Sequence, residues 1–380
     1  MNGVVQRQFV FPNPTCFPVA TDCLSSASAL TPATVYQISP RLHAPYTLQA
    51  ALSVERQLTK SATLSVTYLN SRGFDQFATI NANAPVPGTG IRPNPSAGNI
   101  YEYVSEANFS QNQLIVNSNV RVGSKLQLFG YYTLSYAKSD ASGVSTFVSN
   151  SYDIRQDYGR ASFDTRHRLF FGGSIALPYL FRLSPFLVAS SGSPFNITAP
   201  NDLNGDSIFN DRPGFVSSAT CPERTPPSGT IYCTPLGTFD AAGPKPGVPL
   251  LPINYAIGPS HFTLNMRLTK TFGLGKKLTE GANTQGMGRD GPGGGGHRGG
   301  GGPRGPLFGG GPGMSGPSTD RRYNLTFGVN ARNVFNQVNV ANPSGVLGSS
   351  FFGVSNALQT GPFSTGSAVR RIDLQATFSF

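Results

Sequence analysis

The sequence predicts an all-β fold, an antiparallel transmembrane β-barrel segment of about nine strands with long external loops. Three observations predict it. First, the stretch from Arg371 to Phe380 alternates without a break: Ile372, Leu374, Ala376, Phe378 and Phe380 against Arg371, Asp373, Gln375, Thr377 and Ser379. A period of two gives a strand one apolar and one polar face. Second, only 12% of the residues are charged and 38% are hydrophobic, whereas a soluble domain is about a quarter charged. Low charge with modest hydrophobicity suits strands that face lipid on one side and water on the other. Third, the connections alternate between short turns and long loops, as in outer-membrane barrels.

The elements follow in chain order. Residues 1–44 are rich in Pro and Ser, lack periodicity and read as an external loop region. The barrel segment then occupies 45–380. Tyr46, Leu48, Ala50, Leu52 and Val54 alternate with Thr47, Gln49, Ser53 and Glu55, and after Thr59-Lys60-Ser61 the pattern resumes at Ala62, Leu64, Val66 and Tyr68. This reads as a hairpin. A Pro/Asn-rich loop follows near 80–99.

The second hairpin sets Leu114, Val116, Val120 and Val122 against Gln113, Asn117, Asn119 and Arg121, turns at Gly123-Ser124, and returns through Leu126, Leu128, Tyr132, Leu134 and Tyr136. After a polar loop over 138–160, a third hairpin runs from Phe163 through Leu169, Phe171, Ile175 and Leu177. It turns at Pro178-Tyr179 and returns through Leu183, Pro185 and Leu187 towards Phe195. Pro185 weakens that strand, because it cannot donate to a ladder.

A loop spans 198–258, and Phe262, Leu264, Met266, Leu268 and Phe272 then alternate with Thr263, Asn265, Arg267 and Thr271. The Gly-rich segment at 281–317 cannot bury a core and is expected to be disordered. Tyr323, Leu325, Phe327, Val329 and Ala331 resume the alternation, and a loop near 339–366 precedes the last strand. Counting back from a periplasmic Phe380 places every long loop outside, except that the Gly-rich insertion falls at a periplasmic turn. The polar residues Gln113, Asn117, Arg121, Thr263, Asn265 and Arg267 are then expected to line the lumen.

Composition excludes other classes. Gly and Pro, at 45 and 31 residues, make a fifth of the chain and imply many turns. No apolar run reaches the roughly 18 residues of a transmembrane helix, and a barrel needs none. The net charge of +11 is spread singly and in pairs such as Lys276-Lys277, Arg321-Arg322 and Arg370-Arg371. No nucleic-acid motif accompanies it, so no specific nucleic-acid partner is expected. There is no nucleophile elbow, HExxH or phosphate loop, and His43, His167, His261 and His297 are far apart. Asp164, Arg166 and His167 sit among strand residues, where structural contacts are expected. No catalytic residue is assigned, and the chain is not expected to be an enzyme.

The four cysteines form two close pairs, Cys16 with Cys23 and Cys221 with Cys233, in Pro-rich sequence without zinc spacing. Two local disulfides in an oxidising compartment are expected, with free structural thiols the alternative. Asp202-Leu-Asn204-Gly-Asp206, with Asp211 beyond, offers oxygen donors at alternate positions of a calcium-type loop. Ser207 stands where such a loop needs Gly, and Pro213 where it needs Glu. Calcium and plain Asx turns are both open readings, and no other cofactor is expected.

Phe163-Asp-Thr-Arg-His-Arg168, Ser191-Gly-Ser-Pro-Phe-Asn-Ile197, Asn333-Val-Phe-Asn336 and the terminal strand, in this order, resemble the C-terminal barrel portion of TonB-dependent receptors. The likeness is to the Oar-like group, whose N-terminal domain is carboxypeptidase-regulatory-like, and it covers roughly residues 45–380. The resemblance implies a 22-stranded outer-membrane barrel with an internal plug and energised uptake through TonB. It implies outer-membrane lipid and the barrel assembly machinery as partners, with Phe378 and Phe380 similar to the terminal insertion signal. The sequence itself shows no signal peptide, plug or TonB-contacting segment, and nine strands is an odd number. The expectation is a C-terminal part of a longer receptor whose ligand is unknown. A non-transporting scaffold or adhesin presenting disulfide-tied loops is the alternative.

Overall fold

A computed structural model describes residues 34–216, 230–277, 319–359 and 368–380, with the backbone of short strands at Gln8–Val10 and Ala29–Thr31. Nine long strands form one sheet: β1 (Tyr46–Thr59), β2 (Ala62–Asn81), β3 (Ile100–Val122), β4 (Leu126–Ser139), β5 (His167–Leu177), β6 (Phe181–Ser190), β7 (His261–Lys277), β8 (Arg321–Arg332) and β9 (Arg371–Ser379). Each pairs antiparallel with the next in sequence, leaving β1 and β9 as the edges of an open sheet. This meander is the layout expected of alternating turns and loops, because each turn leaves the chain beside the strand it came from.

The register carries the alternation across the sheet. Leu126, Ile175, Leu183, Leu268, Val329 and Leu374 lie side by side on six successive strands. Beside that row run Arg182, Thr269, Gly328 and Gln375 on the other face. A slip of one residue anywhere would swap the two faces. The apolar face is the open one: Leu52 is 71% exposed and Leu374 81%, while on the polar face Asn265 is 5% exposed and Thr271 1%. A water-soluble protein buries its leucines. Here the small polar residues are covered and the leucines are bare, which fits a wall bathed in lipid.

The strand reading differs in its bounds. β2 and β3 run well past the expected 62–68 and 113–122, with register shifts between Gly73 and Gln76. These extensions mix polar and apolar residues on both faces, so periodicity does not announce them. β5 begins at His167 rather than Phe163, because Asp164 takes the preceding residues into a buried clamp. β6 ends at Ser190, and Pro194–Phe195 pairs instead with Ala256–Ile257. Pro185 does lie inside β6 and keeps the register with Met266.

The region 1–44, read as loop, contains a strand at Val35–Ile38 that pairs parallel to the long-loop end of β3. Four residues are too few to show a period. The loop 198–258 holds further short strands at Gly214–Phe215, Ile231–Thr234 and Gly237–Asp240. The Gly-rich segment 281–317 lies outside the described residues.

Hydrophobic cores form among the long loops. One contains Phe195, Ile197, Phe239, Leu251 and Leu347. The other packs Ala78, Val104 and Ala107 of the strand extensions against Val148 and Ile154.

Candidate functional site

The long-loop end is where polar groups are buried and fixed, and three charged residues do most of the fixing. Asp164 is fully buried and accepts hydrogen bonds from the Ala137 amide at 2.9 Å and from Arg160 Nε at 2.9 Å. Arg166 Nε lies 3.1 Å away, and its guanidinium stacks 3.9 Å above the Tyr136 ring. His167 Nδ1 is 2.7 Å from Tyr132 Oη. Asp164, Arg166 and His167 thus lock β4 to the start of β5.

Arg212 is the second fixing point. Its guanidinium pairs with Asp157 at 2.7 Å and donates to the carbonyls of Gln156 and Leu251, each at 2.8 Å. Asp157 also accepts from the Ser149 amide at 2.7 Å. Burial pushes the Arg212 guanidinium down, and the Asp157 carboxylate opposes that. One ion pair therefore joins the loops at 138–160 and 198–258. The sequence offers no signal for it: Arg212 and Asp157 are 55 residues apart.

The Asp202–Asp211 loop folds on itself. The Asp202 carboxylate accepts from the amides of Gly205 and Ser207, both at 2.7 Å, and Asp206 accepts from the Ile208 amide at 2.8 Å. Asp211 accepts from the Leu203 amide at 2.7 Å. Asn204 Oδ1 takes the Asp206 amide at 2.9 Å. The Asn204 and Asp206 contacts are Asx turns, and all four candidate calcium donors accept from backbone amides. Among the described residues, no group of three His, Cys, Asp or Glu is arranged to hold a metal ion. Burial, with Asp206 and Asp202 nearby, raises the Asp211 carboxyl to about 6.

The remaining motifs are joints in the same region. Gly192 approaches Gly258 so closely that a Cβ would lie 1.8 Å from its carbonyl oxygen. Asn333 and Asn336 have φ of 50° and 53°, in the left-handed region that Asn tolerates. Asn333 donates its amide to Asn265 Oδ1 at 2.8 Å, and Asn336 Oδ1 accepts the Arg370 amide at 2.7 Å. Asn83, not singled out by sequence, donates to the carbonyls of Asn94, Ala97 and Gly98. Asn81 Nδ2 reaches the Asp206 carbonyl at 3.0 Å, tying two loops together.

Between these loops lies a cleft of about 420 Å³. Pro85, Tyr152, Gln156, Asn204, Asp211 and Arg212 are among its walls. Of the expected lumen residues, Gln113, Asn117 and Arg121 lie on the same face of β3, and Thr263, Asn265 and Arg267 on the corresponding face of β7. Phe378 and Phe380 are on the apolar face, their rings 6.3 Å apart. Cys233 is disulfide-bonded, while Cys16, Cys23 and Cys221 fall outside the described residues.

Residues 2–285 match a family described as outer membrane beta barrel domain. No curated protein matches the chain significantly. Solved structures similar to it include the outer membrane transporter YddB from Escherichia coli, with 10% identity and a TM-score of 0.42 over 92% of this chain and 33% of that one. Another is the FrpB iron transporter from Neisseria meningitidis, with 8% identity and a TM-score of 0.40 over 90% of this chain and 32% of that one. The chain spans about a third of the length of these transporters.

Proposed function

The chain belongs to the outer membrane beta barrel domain family, and on that premise we propose that it forms one wall of a TonB-dependent receptor whose long loops capture a ligand for uptake. The observation that carries this reading is the cleft of about 420 Å³ framed by the buried Arg212–Asp157 ion pair and the hydrogen-bonded Asp202–Asp211 loop. A pre-formed pocket with a few convergent polar groups is what ligand capture needs. The ordered motifs support the receptor reading, since all three fall at the long-loop end as joints of the capture region. The open edges β1 and β9 take further strands, because backbone groups cannot stay unpaired in lipid. Gln113, Asn117, Arg121, Thr263, Asn265 and Arg267 then face the passage. No chemistry on the ligand belongs to this reading.

The core at Phe195, Ile197, Phe239 and Leu347 favours a second role, since it makes the loops a rigid unit that a scaffold or adhesin could present. The two roles separate in intact cells. Mass spectrometry of spent medium would compare wild-type and deletion cells, with and without a protonophore. A receptor predicts a compound depleted only by energised wild-type cells. Identical depletion in every arm, with surface adhesion lost in the deletion, would overturn transport in favour of the scaffold.

A further inference from the structure

We infer that the short-turn rim of this barrel binds anionic phospholipid headgroups. Charge is divided between the two ends of the sheet. The long-loop end holds the buried carboxylates Asp140, Asp157, Asp164, Asp206, Asp211 and Asp240. At the opposite end, Arg56, Lys60, Lys125, Lys270, Lys276 and Arg322 gather around the hairpin turns, and the acids there among the described residues are Glu55 and Asp320. Asp320 is taken up by Lys277 at 3.4 Å. Arg56, Lys60, Lys125 and Lys276 are exposed and make no ion pair among the described residues.

What points to lipid rather than to an acidic protein is the company these cations keep. Lys270 lies on the apolar face, opposite Phe181, with Nζ 4.5 Å from the Phe181 ring and 5.3 Å from that of Phe272. It donates to the Tyr179 carbonyl. Tyr179 is 84% exposed and Phe380 95%. Exposed aromatics on an apolar barrel face mark the depth at which hydrocarbon gives way to headgroups. Cations set at that depth, with their stems along the aromatic belt, present their charge to phosphate. Orienting the barrel by its short turns gives these headgroups to the periplasmic leaflet.

The inference rests on the outer-membrane family assignment and not on transport. The test uses the full chain in a zwitterionic detergent, with native mass spectrometry in equimolar phosphatidylglycerol and phosphatidylcholine. Phosphatidylglycerol should be retained over phosphatidylcholine by at least about threefold, and less at high salt. The variant Lys60→Gln, Lys125→Gln, Lys276→Gln should bring the ratio close to one. Arg41→Gln, Arg72→Gln, Arg155→Gln, which removes as much charge from the long-loop end, should leave it unchanged. Heat-modifiable gel mobility confirms that each protein is folded. If the triple variant does not fold, Lys60→Gln and Lys125→Gln alone should each lower the ratio. Equal retention of both lipids, an equal loss in the two triple variants, or displacement of lipid by millimolar glycerol 1-phosphate would overturn the assignment.

Discussion

Single residues decide whether the long loops are ordered. Asp157 and Arg212 have side chains 4% and 2% exposed, so each charge is buried against the other. Removing one partner of such a pair costs about 3–5 kcal/mol, because the other charge stays buried. We expect Asp157→Ala to speed hydrogen exchange in 149–157 and 203–212 while leaving the sheet protected. Asp164→Ala should cost less, about 1–3 kcal/mol, since Arg160 and Arg166 are partly exposed and can regain water. Its effect should be confined to the start of β5.

Asp211 gives the loops a pH dependence of known sign. Its carboxyl is raised from 3.8 to about 6 in the folded chain, so the folded loop holds the proton more tightly. Its contribution to stability is complete below pH 3.8 and is lost as pH rises through about 6. Exchange of the 202–212 amides, corrected for intrinsic rates, should slow on acidification from neutral pH towards 5. Asp211→Asn should flatten that response, since its amide oxygen can still accept from Leu203.

Elements are legible to different degrees. All nine long strands could be read from alternation, because each has one face towards an apolar phase and one towards a polar one, and period two records that difference. The extensions of β2 and β3 beyond Gly73 and Phe109 leave that two-phase environment. There Ala78, Val104 and Ala107 pack against Val148 and Ile154 in an ordinary small core, and the alternation fades. The motif at 191–197 was legible as a motif but not as a joint. The close approach of Gly192 to Gly258 appears only when two distant segments meet. We expect Gly192→Ala to disrupt the pairing of Pro194–Phe195 with Ala256–Ile257 and the core around Phe195. Limited proteolysis should show new cleavage in 191–258 with the sheet intact.

At the scale of the whole molecule, the sheet reverses the usual arrangement, and a paired substitution tests it. Leu374 and Gln375 are neighbours in β9 on opposite faces. Arg at Leu374 should cost about 2–4 kcal/mol in a bilayer, as for a charge on the lipid face near mid-depth. Gln375→Glu should cost little, because its side faces Gly328 and its Oε1 already accepts from Arg267 at 3.0 Å. Denaturant titration of the protein refolded into vesicles measures both. Equal costs would contradict the assignment of the faces.

The sequence by itself determined the nine long strands, their order and their two faces, because these follow from local periodicity and from turns too short to let the chain wander. It also marked the motif residues Asp164, Asn333 and Asn336 without saying what they hold. Tertiary structure alone decided how the loops fold. The Asp157–Arg212 pair, the reach of Asn81 to the Asp206 carbonyl and the cleft they frame join residues far apart in the chain. Such contacts depend on which loops the sheet brings together, and no local pattern in the sequence records that.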